Sequence, residues 1–223
     1  VHLYTNIFTY HVRLKCCPLC PLTSSKPGRT EALRLPLVCV VALELFVKDT
    51  QHLPYLRFYA CVKLLKTWCC ARADDFMGTS PDGVRDRGDY IEVELLRTKT
   101  TGPDKKKHRV SAYLDKSCAL VDSSWICHFM DFLGSAEFGF PRDYLVPLPR
   151  DGFAGARRRM VSHADVTQIG RTLLEQLRVP AFVKKPAGYD WHLSQHELLV
   201  PGSANLWSEH SDRKFLPSVA AVI

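Results

Sequence analysis

The segment 35–47 reads LPLVCVVALELFV and is the most apolar stretch of the chain. Apolar side chains fall on nearly every side of a helix drawn through it, so such a helix has to be buried in a core. The stretch is too short to cross a bilayer, and it contains Glu44. We therefore expect residues 30–48 to form a buried helix of a protein that spans no membrane. Thr30 is a candidate N-cap, and Pro36 favours a later start.

Apolar residues recur at helical spacing in three later segments, which predicts helices over residues 55–70, 122–134 and 163–179. Pro54 is well suited to open the first of them. The other stretches carry no such period. They are expected to hold a short extended piece at 143–149, a basic patch in a loop or helix start at 157–159, and irregular chain over 180–205.

One segment alternates apolar residues with glutamates: Ile91, Val93 and Leu95 are separated by single acidic side chains. This alternation is typical of a half-buried strand. A Gly-Pro-Asp turn at 102–104 and a second strand at 108–114 complete a predicted β-hairpin with a basic tip. The expected fold class is α+β, mainly helical, with a small antiparallel sheet around residues 84–114.

The composition bounds the function classes. A chain of 223 residues with 46% hydrophobic and 24% charged residues can form a packed core, which excludes wholesale disorder. The net charge of +7 suits a polyanionic partner such as nucleic acid, although many soluble proteins are as basic. The nine cysteines, an odd number, indicate free thiols in a reducing compartment, nuclear or cytoplasmic.

Two groups of residues have spacings similar to those of metal-binding motifs. Cys16, Cys17 and Cys20 form one cluster in an irregular leader, residues 1–30, but no second pair follows at zinc-binding spacing. His192 and His196 are four residues apart, without the glutamate of a metalloprotease motif. We interpret both groups as ordinary side chains and expect no metal and no cofactor.

Arg72 follows an apolar helix and precedes Asp74, Asp75 and the apolar Phe76. An arginine at such a junction needs a partner. One interpretation is a structural ion pair with Asp74 or Asp75. The other is a bound phosphate, with an acid orienting the guanidinium group from behind.

His210 and Arg213 are three residues apart near the end of the sequence. If this stretch is helical, both side chains lie on one face. A histidine can transfer a proton near neutral pH, and an arginine can bind two oxygens of a phosphate. The pair therefore suits a phosphate that is held while a proton moves. The alternative is the exposed, solvated start of a helix.

Taken in order, an arginine after a buried helix, a lysine at a basic β-hairpin and an H-x-x-R step resemble the catalytic domain of tyrosine recombinases. These are the phage-integrase-type enzymes that break and rejoin DNA. Arg72 lies in CARADD, Lys99 lies in Arg97-Thr-Lys-Thr100, and His210 and Arg213 form the H-x-x-R step. The resemblance covers about residues 50–223 and is strongest to recombinases of eukaryotic mobile elements.

The resemblance implies a role for each of these side chains. Arg72 and Arg213 would hold the non-bridging oxygens of the scissile phosphate, where charge develops. Lys99 would protonate the leaving 5′ oxygen, and His210 would exchange a proton with the nucleophile. Double-stranded DNA would be the partner, with self-association on it, and no metal is required. The candidates for further contacts with the DNA backbone are Lys105, Lys106, Lys107 and Arg109.

The sequence departs from the family pattern in its nucleophile. All eight tyrosines precede His210, whereas the family carries its nucleophilic tyrosine on a later helix. An aspartate follows Arg72 where many members carry glutamate. The first residue is Val and the last five read VAAVI, so both ends look cut.

We therefore expect residues 31–223 to be a catalytic domain lacking its C-terminal end and unable to cleave DNA alone, unless a tyrosine is supplied in trans. The alternatives are a non-catalytic DNA-binding relic of a mobile element and an unrelated helical interaction protein.

Overall fold

A computed structural model describes residues 33–96, 109–186 and 188–216 of the chain. The expected buried helix is α1 (Leu37–Lys48), which begins late because Pro36 occupies its N-cap. A short loop leads to α2 (Pro54–Trp68), where proline stands in the first turn as predicted. Nearly every side chain of α2 is buried, as is the run 39–47 of α1, so the two helices form the centre of the core.

Glu44 is the only acidic residue of α1 and is fully buried. Its carboxylate accepts hydrogen bonds from the backbone N–H groups of Leu120, Val121 and Asp122, at 2.9, 2.9 and 3.1 Å. Burial raises the pKa of this carboxyl, and the three backbone donors act in the opposite direction. Glu44 thus ties the loop 120–122 to the central helix.

The predicted hairpin is present as part of a three-stranded antiparallel sheet in the order β1-β2-β3. Its strands are β1 (Val84–Asp86), β2 (Tyr90–Leu95) and β3 (Val110–Asp115). The short helix α3 (Ala73–Met77) and a 3-10 turn lead into β1. The basic tip, with Lys99 and Lys105 to Lys107, lies outside the described residues.

The predicted helices at 122–134 and 163–179 are α4 (Ser124–Gly134) and α5 (His163–Glu175). Between them β4 (Pro147–Pro149) pairs with β5 (Ala156–Met160) in a two-stranded sheet. The basic patch at 157–159 therefore lies in a strand, and our assignment to a loop or helix start was wrong. Its three arginines are exposed, which hid the alternation expected of a strand.

Residues 180–205 are not irregular as predicted. They contain most of a β-hairpin formed by β6 (Arg178–Lys185) and β7 (Gly188–Glu197). Cross-strand aromatic contacts support it, with the rings of Phe182 and Tyr189 at 5.1 Å and those of Phe182 and Trp191 at 5.0 Å. Pro180 and the exposed polar residues of β7 concealed the pattern.

The fold is α+β, with helices at the centre and small antiparallel sheets around them, as expected. In the three described ranges, no helix has the length and apolar character needed to cross a membrane. The irregular leader predicted for residues 1–30 lies outside the described part, so the domain division stays a prediction.

Candidate functional site

Arg72 is placed by the way α2 ends. Cys70 has a positive φ of 49°. The Cys70 N–H donates to the Thr67 carbonyl at 3.3 Å, and the Ala71 N–H donates to the Lys66 carbonyl at 3.1 Å. This is the paired hydrogen-bond pattern that closes a helix through a left-handed residue. The chain turns sharply there, and Arg72 becomes the N-cap of α3.

The two acids next to Arg72 are engaged with other groups. Asp75 accepts a hydrogen bond from the Arg72 backbone N–H at 2.9 Å, and Asp74 lies 2.5 Å from Nε2 of His163, the first residue of α5. The guanidinium group of Arg72 has no carboxylate partner within the described ranges. The structural ion pair considered for Arg72 is therefore not formed with either aspartate.

The step from His210 to Arg213 is not one helical turn, so the condition under which the two side chains would share a helix face is not met. His210 lies in a turn in which the Ser211 N–H donates to the Ser208 carbonyl at 2.9 Å. A 3-10 helix, Asp212–Lys214, follows. The Asp212 side chain, in the first position of this 3-10 helix, is buried. His210 and Arg213 are both exposed.

Several contacts attach this turn to the helix pair. The Leu35 N–H donates to the Ser211 carbonyl at 3.4 Å, and the indole N–H of Trp207 donates to the Arg34 carbonyl at 3.0 Å. The Phe215 ring packs edge-on against Trp68, the last residue of α2, with centroids 6.2 Å apart. The turn therefore lies at the same end of α2 as Arg72.

Four buried or nearly buried charged side chains join the turn to α2; we call them the charge cluster: Lys63, Lys66, Glu209 and Asp212. The ammonium group of Lys63 lies 2.9 Å from Asp212 Oδ1, and that of Lys66 lies 3.0 Å from Asp212 Oδ2. Glu209 is hydrogen-bonded to Lys66 and lies 3.8 Å from Lys63. Exposure of the four side chains does not exceed 12%.

The charge cluster changes the acidity of its members. Burial alone would raise the pKa of Glu209, but the ammonium groups of Lys63 and Lys66 outweigh it and lower that pKa to about 2. Burial would likewise lower the pKa of Lys66, but Asp212 and Glu209 raise it. Tyr59 lies 3.2 Å from Glu209, and its own pKa is raised by burial and by that carboxylate. Glu209 and Lys66 are therefore charged at neutral pH.

Arg213 lies close enough to Cys70 for its charge to act on the thiol. Burial raises the pKa of Cys70, and the positive charge of Arg213 lowers it in part. Because Cys70 precedes Arg72 by two residues, the segments carrying the two arginines adjoin. Arg213, like Arg72, has no carboxylate partner in the portion of the chain that the structure describes.

The base of the predicted lysine hairpin is attached to the segment that follows α3. The Thr79 hydroxyl donates to the Glu94 carbonyl of β2 at 3.2 Å. The Glu94 carboxylate is paired with Arg85 at 2.7 Å and with Arg109 at 2.8 Å. Arg109, a candidate for DNA contact, is thus ion-paired although its side chain is 71% exposed. Lys99, which lies outside the described residues, is not placed relative to the arginines.

His192 and His196 lie exposed on β7. Across residues 33–96, 109–186 and 188–216, no group of histidine, cysteine or acidic side chains is arranged to hold a metal ion. The described cysteines are free thiols: Cys39, Cys61, Cys69, Cys70, Cys118 and Cys127.

The charge cluster was missed by our reading of the sequence. Its signal is present: two lysines three residues apart inside an apolar helix, and two acids three residues apart around the H-x-x-R step. Lysines are almost never fully buried without a partner. Such a spacing could have predicted that Lys63 and Lys66 meet acids from elsewhere in the chain.

Comparison with known proteins gives a structural likeness but no match in sequence. No protein-family model matches the chain, and no curated protein matches it. Among solved structures, the chain is similar to one titled "FLP Recombinase-Holliday Junction Complex I", with a TM-score of 0.46 and 11% sequence identity. The match covers 82% of this chain and 40% of that one, so the chain spans about two fifths of its length. This is a distant structural resemblance to a recombinase.

Proposed function

We propose that this chain grips a DNA phosphate in the manner of a tyrosine-recombinase catalytic domain. One observation carries the proposal. The segments of Arg72 and Arg213 adjoin at the C-terminal end of α2, and neither guanidinium group has a carboxylate partner among residues 33–96, 109–186 and 188–216. Two arginines without carboxylate partners on adjoining segments make this end of α2 positive, which favours an anion there.

A phosphodiester is the anion that fits this arrangement. Each guanidinium group can donate two parallel hydrogen bonds to phosphate oxygens. These donors stabilise the charge that develops when the phosphorus is attacked, which is the main catalytic device in phosphoryl transfer. His210, three residues before Arg213, is exposed and available for proton exchange. Lys99 is proposed as the donor to the leaving oxygen, brought by the hairpin whose base is attached beyond α3.

A binding role without cleavage is the second candidate function. Every tyrosine precedes His210, and Tyr55 and Tyr59 are buried and hydrogen-bonded. For these 223 residues the proposal therefore covers gripping and polarising the phosphate, and the attacking tyrosine has to come from elsewhere. Incubation with duplex DNA, followed by denaturing electrophoresis, distinguishes the two roles. A covalent protein–DNA adduct would contradict the binding-only role.

The proposed phosphate binding is tested by measuring the affinity for duplex DNA by fluorescence anisotropy between about 50 and 200 mM salt. Arg72→Ala and Arg213→Ala should each weaken binding by about tenfold or more, because each removes charge-assisted hydrogen bonds to phosphate. Each should also reduce the slope of log affinity against log salt by about one unit.

Arg178→Ala is the matched control. Arg178 is already paired with Glu197 at 3.2 Å. Arg178 follows the C-terminal end of α5. His163, which contacts Asp74 near Arg72, lies at the N-terminal end of this 13-residue helix, about 20 Å away. Folded Arg72→Ala and Arg213→Ala proteins that bind DNA as tightly as Arg178→Ala would refute the proposed function.

A further inference from the structure

In the turn 209–213, the acidic side chains face the core and the basic side chains face the surface. Glu209 and Asp212 point inward to the lysines of α2, with side chains 12% and 0% exposed. His210 and Arg213 point outward. Each inward acid immediately precedes an outward basic residue, so the position of the acid sets the position of its neighbour.

From this arrangement we infer that Lys63 and Lys66 are positioning residues for His210 and Arg213. Their ion pairs with Glu209 and Asp212 fix the position of the turn. The exposed side chains of the turn are thereby placed at the C-terminal end of α2, the end that carries Arg72. The inference rests on the proposed function and deepens it, because it assigns how the phosphate grip is kept in place.

The geometry of Asp212 supports this role. Both ammonium groups contact its carboxylate: Oδ2 accepts a hydrogen bond from Lys63 at 3.0 Å and lies 3.0 Å from Nζ of Lys66, and Oδ1 lies 2.9 Å from Nζ of Lys63. Two contacts on one planar group fix its orientation as well as its place, whereas an apolar contact is non-directional. Buried ion pairs are often no more stabilising than apolar residues of similar volume, so stability alone does not account for four charges here.

The cluster also keeps the arginines available. Two lysines pair with two acids, so the negative charges of Glu209 and Asp212 are balanced inside the fold. Without the lysines, these carboxylates would be the nearest anions for Arg213 and would compete with phosphate. The outward charge of the turn therefore stays positive because its inward acids are paired.

Helix α5 is shaped to accommodate the cluster. A Cβ atom at Gly170 would lie 2.8 Å from Glu209 Oε1, so the absence of a side chain there leaves room for the carboxylate. On the other side, the hydroxyl of Tyr59 contacts both Glu209 Oε1 at 3.2 Å and the Val166 carbonyl of α5 at 3.1 Å. Glu209 is thus enclosed by two helices.

The test removes a charge-balanced pair, with Lys63→Met and Asp212→Leu in one protein. Lys66 and Glu209 then still neutralise each other. The matched control is Lys48→Met with Asp122→Leu, which removes a Lys–Asp pair of 2.9 Å. Lys48 is the last residue of α1, whereas Leu35, which is hydrogen-bonded to the turn, precedes the first. The 12 residues of α1 separate the two ends by about 18 Å.

The expected result is a folded double variant, by circular dichroism, whose affinity for duplex DNA falls by about tenfold, as in Arg213→Ala. Adding Arg213→Ala to the double variant should then cause little further loss of affinity, because Arg213 is already displaced from the phosphate. In the control pair, affinity should match wild type and Arg213→Ala should keep its full effect. A residue with only a structural role would not produce this loss of additivity.

The opposite result overturns the inference: a folded double variant with wild-type affinity, in which Arg213→Ala remains fully effective. If the double variant does not fold, Lys66→Met with Glu209→Gln is interpreted by the same criteria. The two proposals fail separately. Arg213→Ala without effect in the wild-type background refutes the proposed function and this inference with it, whereas additive losses refute only the inference.

Discussion

Cys70 shows how a single backbone angle can place a candidate site residue. It occupies the left-handed position that usually belongs to glycine at the end of a helix. A side chain there costs about 1–2 kcal/mol, whereas glycine costs roughly 0.4–1 kcal/mol through the entropy of the unfolded chain. The first effect is the larger, so the position favours glycine.

We therefore predict that Cys70→Gly raises the free energy of unfolding by about 0.5 kcal/mol, measured by urea denaturation. Cys70→Ala is the control, because it removes the thiol and retains the strained angle. Equal stability of the two variants would show that the cost of the angle is no larger than the entropic cost of glycine.

Glu44 is the second residue whose role is set by its partners. Glutamine at this position would turn an amide NH₂ group toward backbone donors that now meet carboxylate oxygens. We predict that Glu44→Gln lowers the free energy of unfolding by about 2 kcal/mol, because a buried donor is left unsatisfied. Urea denaturation measures the loss. Glu197→Gln, at an exposed ion pair, should change stability by less than about 1 kcal/mol.

At the scale of elements, α5 and the turn 209–213 approach each other only because Gly170 lacks a side chain. Alanine normally stabilises a helix interior by about 1 kcal/mol relative to glycine. Here the added methyl group would press on Glu209, which Lys66 holds from the other side.

We predict that Gly170→Ala lowers the melting temperature despite its better helix propensity. Gly134→Ala, at the end of α4, should leave it unchanged or raise it, because a Cβ atom there meets nothing within 4 Å. A stabilised Gly170→Ala protein would mean that Glu209 moves aside freely, and the charge cluster would then be loosely held.

Elements with a regular apolar period could be predicted from the sequence, and those defined by distant partners could not. The helices α1, α2, α4 and α5 and the hairpin of β2 and β3 were predicted because one face, or every face, is buried. The hairpin of β6 and β7 was missed because most of its residues are exposed. The H-x-x-R step was considered as a possible helical turn, but the 3-10 helix begins at Asp212, after His210, and the side chain of Asp212 is buried.

For the whole molecule, we expect the charge cluster to contribute to the dependence of stability on pH. The pKa of Glu209 is lowered from its model-compound value of 4.5 to about 2 in the fold. A depressed carboxyl pKa stabilises the folded state above pH 4.5, and this stabilisation is lost as pH falls toward 2. Lys66, whose pKa is raised, acts at the other limit and loses its contribution only above pH 10.5.

We predict that wild type is more stable than Glu209→Gln at pH 7 and that the difference shrinks between pH 4.5 and 2. The shift corresponds to at most about 3 kcal/mol. Urea denaturation at each pH measures the difference, in which the titration of the other carboxylates cancels. A difference that stays constant over this range would contradict the coupling of Glu209 to the two lysines.

The contact between Lys63 and Asp212 spans 149 positions of sequence. Closing so long a loop is entropically costly, so such contacts form late in folding compared with those inside α1 and α2. During synthesis, α2 leaves the ribosome with its two lysines unneutralised, and their counter-charges follow only after most of the chain has emerged. A chain cut short before Glu209 would therefore carry two lysines in α2 without their acidic partners.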